Sequence, residues 1–497
     1  MSDFSERVEG LVKSLIEGSE FEGKVWAAGG WVRDSYLERE SKDLDVVVEG
    51  LHGGIKFAEF VAKKQNRYKK GSNPVIHQKF GTAAVRVMVP ILEDWCDVCH
   101  ETCETPDGLG VCEVCEQVEF EIECVFPRKE EYESDSRKPI VSAATLKEDI
   151  WRRDMTLNAL VKNLSTGEVR DLTGGLKDLK AGLIRTPLDP DVTYSEDPLR
   201  MLRAIRFACV YGWEYTPEVW EALFRNAYRL EIVSKERVRV EFEKMLCSSR
   251  PSQAIRQLME TGLMKYMNEE MSTQLHAGVK MAQNKYHTHD VFEHQMVVLE
   301  SSLPTLVDRL SALFHDIGKP SVRTPHPDGQ GGFRFLEHEL ESRAITERVM
   351  KSLKFPSDLI DEVGTAVRCH MGMKDPKSAS DKAVRKWVRK TKKVGDYTPA
   401  STRLLSADAL GHKVTNPDDP GDVRWLVARI EKLGAAKPEN LRQSLVTGYD
   451  LIEWGLKPGI KFKVILDWVQ DVVDGEPNVE RTEMTGRTKV FIAQMEQ

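Results

Sequence analysis

The sequence has no run of about 18 apolar residues, so nothing in it reads as a membrane-spanning helix. Its first ten residues are charged and lack the apolar core of a signal peptide, which makes a cytoplasmic protein the default expectation. An excess of positive charge is missing too. Seventy-one Lys and Arg stand against 79 Asp and Glu, a net charge of −8. That argues against a general nucleic-acid coat protein. One local basic surface remains compatible with it, because salt confines each charge to about 8–10 Å. There is no internal repeat and no low-complexity tract. Cysteine is scarce except in one place: of nine, Cys96, Cys99, Cys103, Cys112 and Cys115 crowd one short stretch. An odd, clustered set without a signal peptide reads as metal binding and not as a disulfide framework.

The 497 residues suggest three or four domains at roughly 100–200 residues each. With 41% hydrophobic residues, there is material for several cores. Residues 4–18 carry helical periodicity through Phe4, Val8, Leu11, Val12 and Leu15. A short buried strand, Lys24–Ala28, runs into Gly29-Gly30 and a helix from Val32 to about Arg39. Leu44–Val48, Thr82–Val89 and Val118–Val125 read as strands, and 55–68 as a helix. The cysteine cluster falls between the last two strands, as an insertion at a hairpin tip. After Leu188 strand signals fade. Asp197–Tyr211, Pro217–Leu230, Lys235–Leu246 and Pro251–Glu260 are helical, and so is most of the chain from there to Gln497.

Chemistry enters first at Ala28-Gly29-Gly30-Trp31-Val32-Arg33-Asp34, between a strand and a helix. Glycines there let a phosphate approach the backbone, helix N-terminal N–H groups favour an anion, and Arg33 can add fixed charge. Asp43-Leu44-Asp45 comes next, at the start of a strand, where alternation puts both aspartates on one face. Two such carboxylates can hold Mg²⁺, alone or as a two-metal pair bridging triphosphate and attacking hydroxyl. A third carboxylate is expected on the strand carrying Glu119, Glu121 and Glu123. A tight turn and a solvated strand end would be the bland alternative.

This combination resembles the signature of the class II transfer-RNA nucleotidyltransferase and bacterial poly(A) polymerase family. Arg152-Arg153-Asp154 with Asn158 is similar to the family's Arg-Arg-Asp…Asn motif, which implies ribose and triphosphate binding. Arg128 to Pro139 and the neck helix from Ser234 to Leu263 also match, so the resemblance covers roughly residues 20–265. Glu196-Asp197-Pro198-Leu199-Arg200 opens a helix on which Asp197, Arg200, Arg203 and Arg206 recur every three residues. Cytosine and adenine both present an amino donor beside a ring-nitrogen acceptor. A carboxylate takes the first and a guanidinium feeds the second. Guanine and uracil reverse that order and would leave polar groups unpaired, at about 1–3 kcal/mol each. Asp197 with Arg200 is thus a candidate protein template for C and A, as the family implies. Val75 to Ala83 lacks the arginine pair usual in poly(A) polymerases, which favours CCA addition to transfer RNA with CTP and ATP. Partial CC or A addition, a poly(A) polymerase, a chiefly hydrolytic phosphatase or phosphodiesterase, and a non-catalytic RNA-binding protein remain alternatives.

Further on, His287, His289, His294, His315-Asp316, His338, His370 and Asp408 are similar to the pattern of the HD phosphohydrolase superfamily. The resemblance implies a divalent metal (Mn, Ni, Fe or Mg) on His294, His315, Asp316 and Asp408. It implies a second metal or a phosphate at His338 and His370. Cys96-x-x-Cys99 and Cys112-x-x-Cys115, with His100 and Cys103 between, have structural-zinc spacing. The segment 382–393 is basic, and Lys386, Arg389 and Lys390 are candidate RNA contacts. The whole reads as α+β: a mixed-sheet nucleotidyltransferase head (1–185, with the Cys-rich insertion 93–117), a helical neck (186–265), an HD domain (266–420) and a helical tail (421–497).

Overall fold

The computed structural model describes residues 3–65, 73–78, 81–90, 117–131, 140–283, 289–326, 333–373, 379–391, 400–411, 421–434 and 445–495. The chain divides into two compact units, 1–234 and 235–497. The division falls inside the segment expected to act as a neck.

The first unit runs α1 (Asp3–Ile16), β1 (Val25–Ala28), α2 (Gly30–Tyr36), β2 (Leu44–Val48), α3 (Gly53–Gln65), β3 (Val75–His77), β4 (Thr82–Pro90) and β5 (Gln117–Val125). It continues with β6 (Arg128–Glu131), β7 (Ile140–Ala143), α4 (Leu146–Trp151), β8 (Val161–Asn163), β9 (Val169–Arg170), α5 (Gly175–Ala181), α6 (Pro190–Glu196), α7 (Leu199–Tyr211) and α8 (Pro217–Asn226). Seven strands form one mixed sheet in the order β3-β4-β5-β2-β1-β8-β9. Of its described pairs, β2 with β5 is parallel and the others are antiparallel.

Both faces of the central strands are covered, which explains why they read as nearly continuous apolar runs. On one face Val25, Ala27, Val46 and Val48 pack with Val8 and Val12 of α1 and Phe57 and Val61 of α3. On the other, Trp26, Ala28 and Val47 pack with Leu146 and Ile150 of α4. α3 enters close against the sheet. A Cβ on Gly54 would sit 2.7 Å from the Cys124 carbonyl oxygen, so no larger residue fits. Strand β2 is buried at Leu44, Val46, Val47 and Val48 and exposed only at Asp45. By the two-residue period Asp45 shares the face of Val47, the side on which α4 packs. The fold thus opens its sheet to solvent at one carboxylate and places beside it the helix that Arg152 and Arg153 follow.

The second unit is helical apart from one short hairpin among its described elements. Its first part contains α9 (Lys235–Leu246), α10 (Pro251–Glu260), α11 (Leu263–Met267), α12 (Glu269–Gly278), α13 (Val291–Ser301), α14 (Leu306–Phe314) and α15 (Lys319–Val322). Then come α16 (His338–Ser352), α17 (Ser357–Cys369), α18 (Asp381–Thr391), α19 (Ala400–Gly411), α20 (Gly421–Lys432), α21 (Gly448–Glu453), α22 (Ile460–Gly475) and α23 (Arg481–Met495). Side-chain caps set the starts of two helices at the site: Asp290 accepts from the Glu293 N–H and Thr305 from the Asp308 N–H. Arg403 of α19 donates to Asp308 of α14 at 2.8 Å, fixing these two helices against each other.

The basic face of α18 differs from expectation. Lys382 and Lys386 both meet Asp471 of α22, at 2.6 and 2.8 Å, and Arg389 forks onto Asp474 at 2.6 Å. Those cations hold the tail helix, while Lys386 and Arg389 keep 43% and 31% of their side chains exposed. The Lys390 side chain lies outside the described residues.

Candidate active sites of the two units

In the first unit, the register of β2 on β5 sets Asp45 opposite Glu123. Asp43 lies two residues back. This settles which of the three glutamates joins the aspartates. Glu119 and Glu121 instead hold Arg86 of β4, at 2.7 and 3.2 Å. Asp45 keeps solvent-accessible area although protein atoms crowd it. That crowding, followed by the charges of Glu123 and Asp43, raises its carboxyl to about 6. Glu123 is raised as well, by burial and then by Asp43. Carboxylates forced together in this way fit a divalent cation, which would remove the repulsion they now suffer.

The glycine turn borders this cluster. Gly29 adopts φ 64°, ψ −121°, a conformation essentially restricted to glycine. An added Cβ there would come 3.3 Å from Arg153 Nη1. Arg33, expected to meet phosphate, is directed elsewhere. Its Nε and Nη2 fork onto Asp34 at 2.8 Å, its Nη1 donates to Asn158 Oδ1 at 2.7 Å, and Phe207 and Tyr211 pack on its plane. Its charge is balanced locally, and its visible work is to orient Asn158.

Asn158 in turn donates to Asp154 Oδ1 at 3.0 Å, and Arg203 of α7 donates to Asp154 Oδ2 at 2.6 Å. Burial would raise Asp154, but Arg203 and the Asn158 hydrogen bond lower it to about 2. Asp154 is therefore a fixed anion tying α7 to the Arg-Arg-Asp segment. Arg152 and Arg153 converge on one buried carboxylate absent from the sequence-based set, Asp149, at 2.6 and 3.1 Å. A capping box at Thr145 and Glu148 starts the short helix that carries it. Spacing could have flagged Asp149, since it precedes the arginines by three and four residues.

On α7, Arg200 is nearly buried and donates through Nη1 to the Thr193 carbonyl at 3.2 Å and to Glu196 at 2.9 Å. Glu196 is a second residue the sequence reasoning passed over. Asp197 accepts from the Leu199 N–H at 3.2 Å, which fixes its carboxylate at the head of the helix. Arg206 lies 4.3 Å from the centre of the Phe207 ring. Asp197, Arg200, Asp154 and the acid cluster thus belong to one compact unit.

The second unit brings together the six residues assigned to the HD metal and phosphate positions. His294 from α13, His315 after α14 and Asp408 from α19 form one group; Asp316, His338 and His370 form another. All six are buried. Asp316 joins the groups: Oδ2 lies 3.4 and 3.2 Å from Nε2 of His294 and His315, and Oδ1 lies 3.2 and 3.7 Å from Nε2 of His338 and His370. Nδ1 of His315, His338 and His370 contacts the carbonyl three residues back, at 2.8, 2.8 and 2.6 Å. That contact makes Nδ1 the donor and turns the Nε2 lone pair inward. Nε2 of His315 lies 3.2 Å from Nε2 of His294, and Nε2 of His338 lies 3.2 Å from Nε2 of His370; His294 Nε2 also lies 2.9 Å from Asp408 Oδ1.

Lys319 Nζ approaches Asp316 Oδ2 at 2.6 Å, yet neither oxygen of this buried carboxylate accepts a well-directed hydrogen bond. Burial holds His370 neutral, down to about 3, with the neighbouring His315 charge adding to the effect. Against its burial, Asp316 is kept well below the usual carboxylate range by His315 and Lys319. Against its own burial, His315 is raised by Asp316. Two groups of buried imidazole and carboxylate ligand atoms, with both Asp316 oxygens short of hydrogen bonds, fit divalent cations, which these six residues would hold. His287 and the cysteines Cys96, Cys99, Cys112 and Cys115 lie outside the described residues.

Fold and layout together define a class, a nucleotidyltransferase head in one unit with an HD-type histidine–aspartate centre in the other. Family comparisons make this particular: residues 25–93 and 80–185 match the Poly A polymerase head domain and residues 306–406 the HD domain. Residues 214–275 match the probable RNA and SrmB-binding site of polymerase A. The mitochondrial CCA tRNA nucleotidyltransferase of Saccharomyces cerevisiae is 35% identical over 251 residues, covering 47% of this chain and 40% of that protein. The CCA-adding enzyme of Anoxybacillus flavithermus is 40% identical over 144 residues, covering 29% and 36%. The chain spans 36% to 41% of the length of the first curated relatives it matches. In fold it resembles the CTP complex of the Bacillus stearothermophilus CCA-adding enzyme, with a TM-score of 0.62, 20% identity and coverage of 100% and 99%. Among the described residues, no helix is long and apolar enough to cross a membrane.

Proposed function

We propose that the first unit adds C and A to the 3′ end of transfer RNA, from CTP and ATP, to build CCA. The observation that carries this reading is Asp197, fixed at the head of α7, three residues before an Arg200 immobilised by Glu196, in the same unit as Asp43, Asp45 and Glu123. The relatives named as CCA enzymes support it. Asp43, Asp45 and Glu123 would hold Mg²⁺, which supplies charge stabilisation for transfer of a nucleotidyl group and release of pyrophosphate. Asp154 and Asn158 would meet the sugar and Arg152 and Arg153 the phosphates, as the resemblance of the Arg-Arg-Asp…Asn motif implies. Asp197 accepts the amino group of C or A while Arg200 donates to the ring nitrogen. Incubating the protein with CTP, ATP and transfer RNA lacking its 3′ end, then sequencing the ends, tests this. CCA ends are expected. Long A-tails would replace it with poly(A) polymerase activity, and no extension would overturn it.

A second reading rests on Asp316 and the five residues around it. The HD centre is a phosphohydrolase whose substrates include phosphate esters at RNA ends, with Mn, Ni, Fe or Mg as its metal. Unchanged hydrolysis in His315→Ala and Asp316→Ala would remove it. Structural zinc at Cys96, Cys99, Cys112 and Cys115 and a cytoplasmic location complete the proposal. Elemental analysis of the purified protein tests the zinc, and cell fractionation tests the location.

A further inference from the structure

Between α16, α17 and α18 lies a cavity of about 380 Å³ that belongs to neither centre. Two helices present matching faces to it. From α17 come Thr365, Arg368 and Cys369, and from α18 come Ala383, Lys386 and Trp387. Each set is spaced i, i+3, i+4, the spacing that puts side chains on one helical face. Arg343 of α16 closes a third side.

Three cations line the cavity and, among the described residues, no carboxylate does. Two of the cations are held from behind. Arg343 donates to Glu347 at 2.8 Å, and Lys386 to Asp471 at 2.8 Å. Neither acid reaches the lining, so their effect is to aim the cations. Arg368 is exposed and has no ion pair among the described residues. Beside the charges, Trp387, Ala383 and Cys369 supply apolar lining. The Trp387 indole N–H donates to the Cys369 carbonyl at 3.4 Å, which locks the ring in place.

We propose that this cavity is a binding site for a nucleoside monophosphate. A phosphate monoester carries more than one negative charge and three terminal oxygens. Arg343, Arg368, Lys386 and the Thr365 hydroxyl offer more donors than a two-oxygen carboxylate can use. The apolar lining takes the base, and the volume lies at the small end of ligand sites, about 300–1,000 Å³. Cys369 precedes His370, so the last turn of α17 faces this cavity on one side and the metal ligands on the other. A nucleotide bound here would therefore bear on the position of His370.

Calorimetric titration of the full chain in EDTA with AMP, CMP, ribose 5-phosphate, adenosine and inorganic phosphate tests the site. Arg368→Glu should weaken AMP binding at least tenfold. Ala383→Trp, which fills the cavity, should abolish the binding that Arg368→Glu weakens, and both variants should keep the wild-type melting temperature. AMP bound equally by wild type and both variants would overturn the site. Inorganic phosphate or adenosine bound as tightly as AMP would overturn its assignment to a nucleotide.

Discussion

Asp45 must be an anion in a place that resists anions. Burial and two neighbouring carboxylates raise it to about 6, and metal ligation requires the deprotonated form. Below about pH 6 protons compete with the metal, so Mg²⁺ affinity should fall as pH drops and nucleotide addition should fall with it. The linkage sign for the metal-free protein is the reverse. A raised folded pKa favours the protonated fold, so stability is greatest below the unfolded value and is lost as pH rises through about 6. Melting curves between pH 4 and 8 should show that loss in EDTA and its reversal by Mg²⁺; a flat EDTA profile would contradict the assignment. Asp45→Asn should lower nucleotide addition by ~10²-fold or more, given several kcal/mol of metal-borne charge stabilisation. The same variant should melt no lower than wild type in EDTA. At Arg200 the residue-scale question is selectivity. Removing its anchor with Glu196→Ala lets the guanidinium move, and discrimination against UTP and GTP should shrink by about 5–100-fold, the equivalent of one buried polar mismatch. Ratios of kcat/KM for the four nucleotides measure this, with unchanged ratios counting against the template.

At the scale of elements, the turn joining β1 to α2 depends on Gly29. Its backbone geometry would cost another residue about 1–3 kcal/mol, and its missing Cβ leaves room for Arg153. Gly29→Ala should lower the denaturation midpoint and raise KM for nucleotide. A loss of stability with unchanged KM would show that the turn serves the fold alone. The strands and helices bearing these motifs were legible because their signals are local: alternation for β2, period 3.6 for α7, a Gly-Gly break before α2. What sequence could not supply was the partner of each group. Glu119, Glu121 and Glu123 look equivalent along a strand, and only the register with β2 selects Glu123. Arg33 looks like a phosphate clamp until Asp34 and Asn158 are placed around it. The basic face of α18 looks solvated because Asp471 and Asp474 lie far along the chain, on a helix that only folding brings opposite. The HD residues were legible as a pattern, but the role of Asp316 between two imidazole pairs is a fact of geometry.

Across the whole molecule, the two centres share no residue, and each lies within one compact unit. Their chemistries should therefore separate by mutation. Asp43→Asn with Asp45→Asn should abolish nucleotide addition and leave phosphoester hydrolysis in place, while His315→Ala should do the opposite. Metal counting sharpens the test, because Asp316 has one oxygen toward each imidazole pair. In the Asp43→Asn, Asp45→Asn background, Mn²⁺ binding reports the HD centre without the head. Two ions per chain are expected there beyond any held elsewhere. His338→Ala should lose one, since it removes a ligand from one side only. Asp316→Ala should lose both, or weaken both together, because its two oxygens face the two groups. Equal loss in His338→Ala and Asp316→Ala would mean a single shared ion, with His338 and His370 serving a phosphate oxygen instead. Either count is decided by this one carboxylate, which the helix ends carrying His315 and His338 enclose and leave without a well-directed hydrogen bond.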